Sequence, residues 1–172
     1  LGQDWKYERQ GLVSLKRIVE ALRGLQLPAK DLLSFQRWVM FNYLIGNSDA
    51  HAKNISVLID ETGYALAPFY DLLCVQVYGD DRLALYIGDE DQYASIGAHS
   101  WEAFCEDCGF SVKSTMTLFR KMAQDVAKAW ATVTAQATVD FALSRPELGL
   151  IQSITMVIET NCSAALSMTT KR

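Results

Sequence analysis

Apolar positions recur along this chain at two different periods. Leu12, Leu15, Ile18, Val19 and Leu22 step by three and four, with Lys16, Arg17 and Glu20 on other faces. That spacing predicts an amphipathic helix ending near Gly24. Pro28 precedes a second helical stretch, from about Ala29 to Ile45. Its apolar residues Leu33, Trp38, Met40, Phe41, Leu44 and Ile45 crowd more than one face, so this helix is expected to be central and buried, stopping at Gly46. Near the C-terminus, Val112, Met116, Phe119, Met122, Val126, Trp130 and Val133 trace one stripe of a long helix with Ser111 as its N-cap and Trp130 in the core. Ser144-Arg145-Pro146-Glu147 has capping-box form. It leads into Leu150, Ile151, Ile154, Val157, Ile158 and Cys162 on one face of a last helix.

Between these helices the period changes to two. Ile55, Val57 and Ile59 alternate with Ser56, Leu58 and Asp60, and Asp60-Glu61-Thr62-Gly63 carries turn chemistry. Tyr64-Ala65-Leu66-Ala67 follows and Pro68 ends the run, which predicts a short β-hairpin. Arg82 to Ile87 is a further extended piece. The expected fold is mainly α with one small β-hairpin inserted after the second helix. No repeat or low-complexity linker divides the chain.

Composition narrows the classes. The chain has 172 residues, 50% of them hydrophobic, enough for one substantial core and one domain. Its net charge of −4 does not suit a free-standing DNA-binding domain, whose affinity comes largely from neutralising phosphates, although a local basic patch stays open. The most apolar stretch, Phe35 to Ile45, is interrupted by Gln36, Arg37 and Asn42 and is too short to span a bilayer. The polar opening residues Gln3, Asp4, Lys6 and Glu8 do not form a signal peptide. Cys105 and Cys108 form a C-x-x-C, but Cys74 and Cys162 supply no second pair, so reduced thiols of a cytoplasmic protein are favoured over zinc or redox chemistry. Asp89-Glu90-Asp91 reads as a solvated turn, and Lys113, Arg120 and Lys121 as a solvated helix face.

The residues flanking the hairpin carry the chemistry. Before it lies Gly46-Asn47-Ser48-Asp49-Ala50-His51-Ala52-Lys53-Asn54, and after it Phe69-Tyr70-Asp71-Leu72. Kinase-type loops place an Asp five residues before an Asn, with a second, metal-binding Asp further on. Asp49, Asn54 and Asp71 have that order, and a hairpin between Asn54 and Asp71 would bring its two ends together. Phosphoryl transfer spreads negative charge over oxygens, so it needs positioning and cations. Asp71 and the Asn54 amide oxygen suit Mg²⁺, which takes hard oxygen ligands. Asp49 suits the base that orients and deprotonates an acceptor hydroxyl. Lys53 would place positive charge near the phosphate, and His51 orients the loop rather than transferring protons. Read singly, each of these residues is an ordinary turn or cap residue. The buried helix, polar loop, hairpin and aromatic-Asp taken together point to phosphoryl transfer.

These same stretches, Asn47 to Ser56 and Leu66 to Leu72, resemble the signature segments of HipA-like serine/threonine kinases, the toxins of bacterial toxin–antitoxin modules. Leu83 to Gly88 and Ala98-His99-Ser100-Trp101 resemble the segment before that family's last helices, where His99 and Trp101 are expected to be structural. Leu1-Gly2 and Lys6-Tyr7 resemble the start of its C-terminal region. The resemblance spans nearly all of residues 1–172 and implies a protein-kinase-like C-terminal lobe. It implies that Asp49 is the base, that Asn54 and Asp71 hold the Mg²⁺ bridging ATP phosphates, and that the protein is bacterial and cytoplasmic. The implied substrate is a protein, in the best-known members an aminoacyl-tRNA synthetase. The implied partner is a helix-turn-helix antitoxin, through which DNA is bound indirectly. Neither a Gly-rich phosphate loop nor a V-A-I-K lysine is found. The N-terminal ATP-clamping lobe is therefore expected to be absent from this chain, and little transfer is expected from the chain alone. The D-x-H-x-x-N core also occurs in aminoglycoside phosphotransferases and phosphatidylinositol kinases. A small-molecule acceptor, or a non-catalytic module that docks an antitoxin, are the alternative readings.

Overall fold

Ser14 begins the first helix: its hydroxyl accepts from the Arg17 backbone N–H at 3.2 Å, satisfying a donor that the helix itself leaves open. The structure, a computed structural model, describes residues 7–11, 13–61 and 63–169. Leu12, and the opening residues Leu1, Gly2, Gln3, Asp4 and Lys6, lie outside the described residues. Helix α1 (Leu15–Gly24) buries Leu15, Val19 and Leu22, the stripe its spacing predicts.

Helix α2 (Ala29–Ile45) is the axis of the lobe, with nine buried residues that include Phe35, Trp38, Met40, Tyr43 and Leu44. Leu33, expected in that core, is instead exposed, because the buried surface turns past it onto Gln36 and Val39. Gly46 ends the helix in the left-handed conformation at φ 74°, where a Cβ would stand 2.5 Å from Val157 Cγ1.

Helix α3 (Ala98–Cys108) was not delineated by the sequence pattern. It supplies Trp101 and Phe104 to an aromatic cluster. Trp101 meets Phe119 at 4.3 Å between ring centroids and Tyr43 at 5.7 Å, and Tyr43 stacks on Tyr93 at 5.2 Å. The C-x-x-C is one turn of α3, with both thiols buried in the core. Burial pushes the Cys108 thiol up to about 12. Among the described residues no cluster of three or more His, Cys, Asp and Glu side chains is placed to hold a metal ion.

Helices α4 (Val112–Asp140) and α5 (Arg145–Ser167) form an antiparallel pair laid across α2. Ser111 caps α4 by accepting from the Ser114 N–H, and Ser144 with Glu147 forms the capping box of α5. Trp130 is half buried rather than enclosed, its indole N–H donating to Thr155 Oγ1 at 2.9 Å across the pair. Arg120 departs from the solvated-face expectation: its guanidinium donates to the Met168 carbonyl at 2.6 Å and fastens the end of α5.

Strands β1 (Val57–Asp60) and β2 (Gly63–Leu66) make the expected hairpin, paired from Val57↔Leu66 to Asp60↔Gly63. The expectation of a single hairpin is corrected by a second, between β3 (Arg82–Ile87) and β4 (Glu90–Gln92). Glu90 and Asp91, read as a solvated turn, stand in β4, where Asp91 accepts both Nε and Nη2 of Arg82 at 2.9 and 2.6 Å. Leu83, Ala84, Leu85 and Ile87 of β3 are buried, which explains why so short a strand holds its place. Among the described residues no helix is long and apolar enough to cross a membrane.

Candidate functional site

The loop after α2 is seated against β3. The Ala84 N–H donates to the Ser48 carbonyl at 2.8 Å, so the strand fixes the loop one residue before Asp49. Past Asp49 the chain makes a 3₁₀ turn, Ala52–Asn54, that closes on itself. The Asn54 amide oxygen accepts from the His51 N–H at 2.9 Å, while the Asn54 N–H returns to the His51 carbonyl at 2.9 Å. This capping fixes Asn54, which is 4% exposed.

The hairpin then brings the second segment back. Its base is closed by Ala67 N–H to the Ser56 carbonyl at 2.9 Å, and Leu66 N–H donates to the buried Asp31 carboxylate of α2, also at 2.9 Å. Tyr70 reaches across with its hydroxyl, donating to the Lys53 carbonyl at 2.7 Å. The result is a direct contact: Asn54 Nδ2 donates to Asp71 Oδ2 at 2.6 Å. Asp71 itself is exposed and sits at φ 58°, a left-handed conformation uncommon outside glycine but more frequent for Asp and Asn. Asn47 holds it there, donating to the Asp71 carbonyl at 2.9 Å and to Asn42 Oδ1 at 2.7 Å.

Asp49 is partly buried. Its Oδ1 accepts the Tyr7 hydroxyl at 2.8 Å, and its Oδ2 lies 3.9 Å from His51 Nε2. Lys53 projects from the 3₁₀ turn as an exposed side chain. Of the five residues singled out from sequence, Asn54 and Asp71 touch, and His51 bridges Asn54 through its backbone to Asp49 through its ring. Lys53 is tied to the group through its carbonyl and Tyr70.

Four residues of this network were not picked from the sequence: Asn42, Asn47, Tyr70 and Tyr7. Asn42 carried a signal, since a buried helix rarely accommodates an unpaired amide, and Asn47 just past the helix end is the partner that its oxygen finds. Tyr7 carried none, being 42 positions from Asp49. Nearby, burial raises the Glu8 carboxyl to about 7; the Tyr86 N–H it accepts partly offsets this, and Asp107 and Asp89 push it further up.

The donor set suits Mg²⁺. Asp71 offers an exposed carboxylate as a hard oxygen ligand; the Asn54 amide beside it turns its Nδ2 to that carboxylate and its Oδ1 to the His51 N–H, which leaves that oxygen one lone pair for a cation.

A mainly helical lobe, with a polar loop and an aromatic-Asp segment at the two feet of a hairpin, has a kinase-like fold. Residues 1–130 match the HipA-like C-terminal domain family, and the chain belongs to that family. It is 34% identical over 131 residues to the putative kinase Y4mE of Sinorhizobium fredii, covering 74% of this chain and 31% of that protein. It is 33% identical over 134 residues to the serine/threonine-protein kinase toxin HipA of Shewanella oneidensis, covering 77% of this chain and 31% of that one. The solved structure of the S. oneidensis MR-1 toxin–antitoxin system HipA, HipB and its operator DNA contains a chain that matches with a TM-score of 0.89 at 25% identity. The match covers 98% of this chain and 42% of that one. The aligned part is thus about a third of the length of these curated relatives.

Proposed function

We propose that this chain is the catalytic-loop lobe of a HipA-like kinase that transfers the γ-phosphoryl group of ATP to a serine or threonine hydroxyl of a protein. The observation that carries this reading is the 2.6 Å contact between Asn54 and Asp71, made by a hairpin whose feet are pinned from both sides. In this reading Asn54 and Asp71 hold Mg²⁺, which when bound neutralises charge on the ATP phosphates. Asp49 accepts the proton of the acceptor hydroxyl as its oxygen forms the new bond to phosphorus and the bond to ADP breaks. His51 keeps the loop closed through its backbone. Lys53 is exposed beside the turn, where it can meet phosphate charge.

The other half of the nucleotide cleft, with the phosphate-clamping loop and its lysine, is assigned to an N-terminal lobe elsewhere in a longer protein. Relatives roughly three times as long as the aligned region support this. A HipB-like helix-turn-helix antitoxin is the proposed partner, supported by the structural neighbour's own assembly with HipB and operator DNA. The acidic net charge of −4 suits a chain that reaches DNA through such a partner.

The test is transfer from labelled ATP to proteins of a cell extract, using the full reading frame that carries this chain. Wild type should label a discrete protein band. Asp49→Ala should lose that label by at least about a hundredfold, the scale of general base catalysis, while remaining folded by circular dichroism. Undiminished labelling by the variant rejects the assignment of Asp49. Label confined to small molecules redirects the acceptor to that class.

A further inference from the structure

The catalytic loop shares its docking strand with a second segment. Ala84 and Tyr86 lie two apart on β3, so their N–H groups point the same way. The first holds the Ser48 carbonyl at 2.8 Å, and the second holds Glu8 Oε2 at 2.7 Å. The short segment around Glu8 is therefore laid beside the loop, and the residues next to these anchors, Tyr7 and Asp49, come into register. The Tyr7 hydroxyl donates to Asp49 Oδ1 at 2.8 Å. Its ring is gripped by Arg9, whose guanidinium lies 4.2 Å from the ring centroid, and stands edge-on to His51 at 6.3 Å.

We infer that Tyr7 is a positioning residue for phosphoryl transfer, holding Asp49 by Oδ1 so that Oδ2 is presented to the acceptor hydroxyl. The inference rests on Asp49 being the base. Without the phenol on Oδ1 the carboxylate is held less tightly and turns among more rotamers, only some of which present an oxygen in line with the hydroxyl. A neutral phenol fixes one oxygen without placing a cation against the base. Loss of such alignment shows in turnover, since ATP is held by other residues.

The experiment compares Tyr7→Phe, Asp49→Ala and wild type in the full reading frame, with kcat, the KM for ATP and the melting temperature recorded for each. Tyr7→Phe keeps the ring against Arg9 and His51 and removes only the hydroxyl. The expected result is a kcat about tenfold lower, with the KM for ATP within about twofold and an unchanged melting temperature. Tyr7→Leu, which also removes the ring, should lose at least as much.

An unchanged or raised kcat in Tyr7→Phe overturns the inference, as does a fall explained by weaker ATP binding or lost folding. If Asp49→Ala is inactive while Tyr7→Phe matches wild type, only the inference about Tyr7 fails. If Asp49→Ala retains full transfer, or wild type shows none, the base assignment fails and takes the Tyr7 role with it.

Discussion

Replacing Asn47 by alanine should damage both the stability of the lobe and the geometry of Asp71. Asn47 is 2% exposed, and its amide N–H₂ joins two acceptors: Asn42 Oδ1, buried inside α2, and the Asp71 carbonyl. Asn42 commits its own Nδ2 to the Trp38 carbonyl, so it cannot turn to rescue its oxygen without breaking that bond. A buried polar group left without a partner costs about 1–3 kcal/mol. The Asn42 oxygen should bear the upper part of that range. The Asp71 carbonyl, nearer to solvent, should bear the lower part because water can replace the amide. The sum is about 3–5 kcal/mol, without a cavity term for so small a side chain. For a domain of this size the melting temperature should fall by roughly 6–20 °C. Asp71 also holds a left-handed backbone that costs about 1–3 kcal/mol and persists only while its surroundings enforce it. Losing the Asn47 clamp lets that residue relax, so transfer should drop by more than the unfolded fraction explains. Urea denaturation followed by circular dichroism measures the first effect, and turnover at a temperature where both proteins are folded measures the second. Asn47→Asp is a stringent companion: it keeps the shape but brings only acceptors to two acceptors, so it should be no more stable than Asn47→Ala. A loss below about 0.5 kcal/mol in either variant, within the range of ordinary surface substitutions, would refute the reasoning.

Local geometry sets two further outcomes. Gly46→Ala should destabilise the lobe by at least about 1–2 kcal/mol, from the left-handed backbone alone, with more added by the 2.5 Å approach of its Cβ to Val157 Cγ1; an unchanged denaturation midpoint would contradict this. Glu8 binds its proton more tightly in the folded state, at about 7 against an ordinary 4.5. Between those values the folded protein carries the extra proton, so stability should fall as pH rises through that window and level off above it. Glu8→Gln, which still accepts the Tyr86 N–H, should be flat across the same window and melt above wild type at about pH 8; parallel melting curves at about pH 5 and pH 8 decide it.

Most of the helices were legible because their signals are local. α2 runs from Ala29 to Ile45, the span that Pro28, the crowded apolar faces and Gly46 predict, and α4 and α5 start at the caps Ser111 and Ser144. Helix periodicity and capping act within a few residues, so the sequence displays them directly. The first hairpin was equally plain, since its turn residues lie between two alternating runs. α3 and β4 were not plain. α3 follows Gly97, without a capping side chain of its own, and its apolar residues face a cluster assembled from α2 and α4. β4 is three polar residues long and exists because β3, buried by the helices, offers it an edge and Arg82 a partner for Asp91.

The same division runs through the site. The spacing of Asn54 and Asp71 around a hairpin was enough to predict that the two meet, because the hairpin alone joins its two feet. Which groups orient those residues was decided only in three dimensions. Asn47 meets Asp71 across 24 positions, Asn42 answers from inside α2, and Tyr7 reaches Asp49 across 42. The last of these contacts depends on one shared strand: β3 presents the N–H groups of Ala84 and Tyr86 to Ser48 and Glu8, and that common register sets the two distant segments side by side.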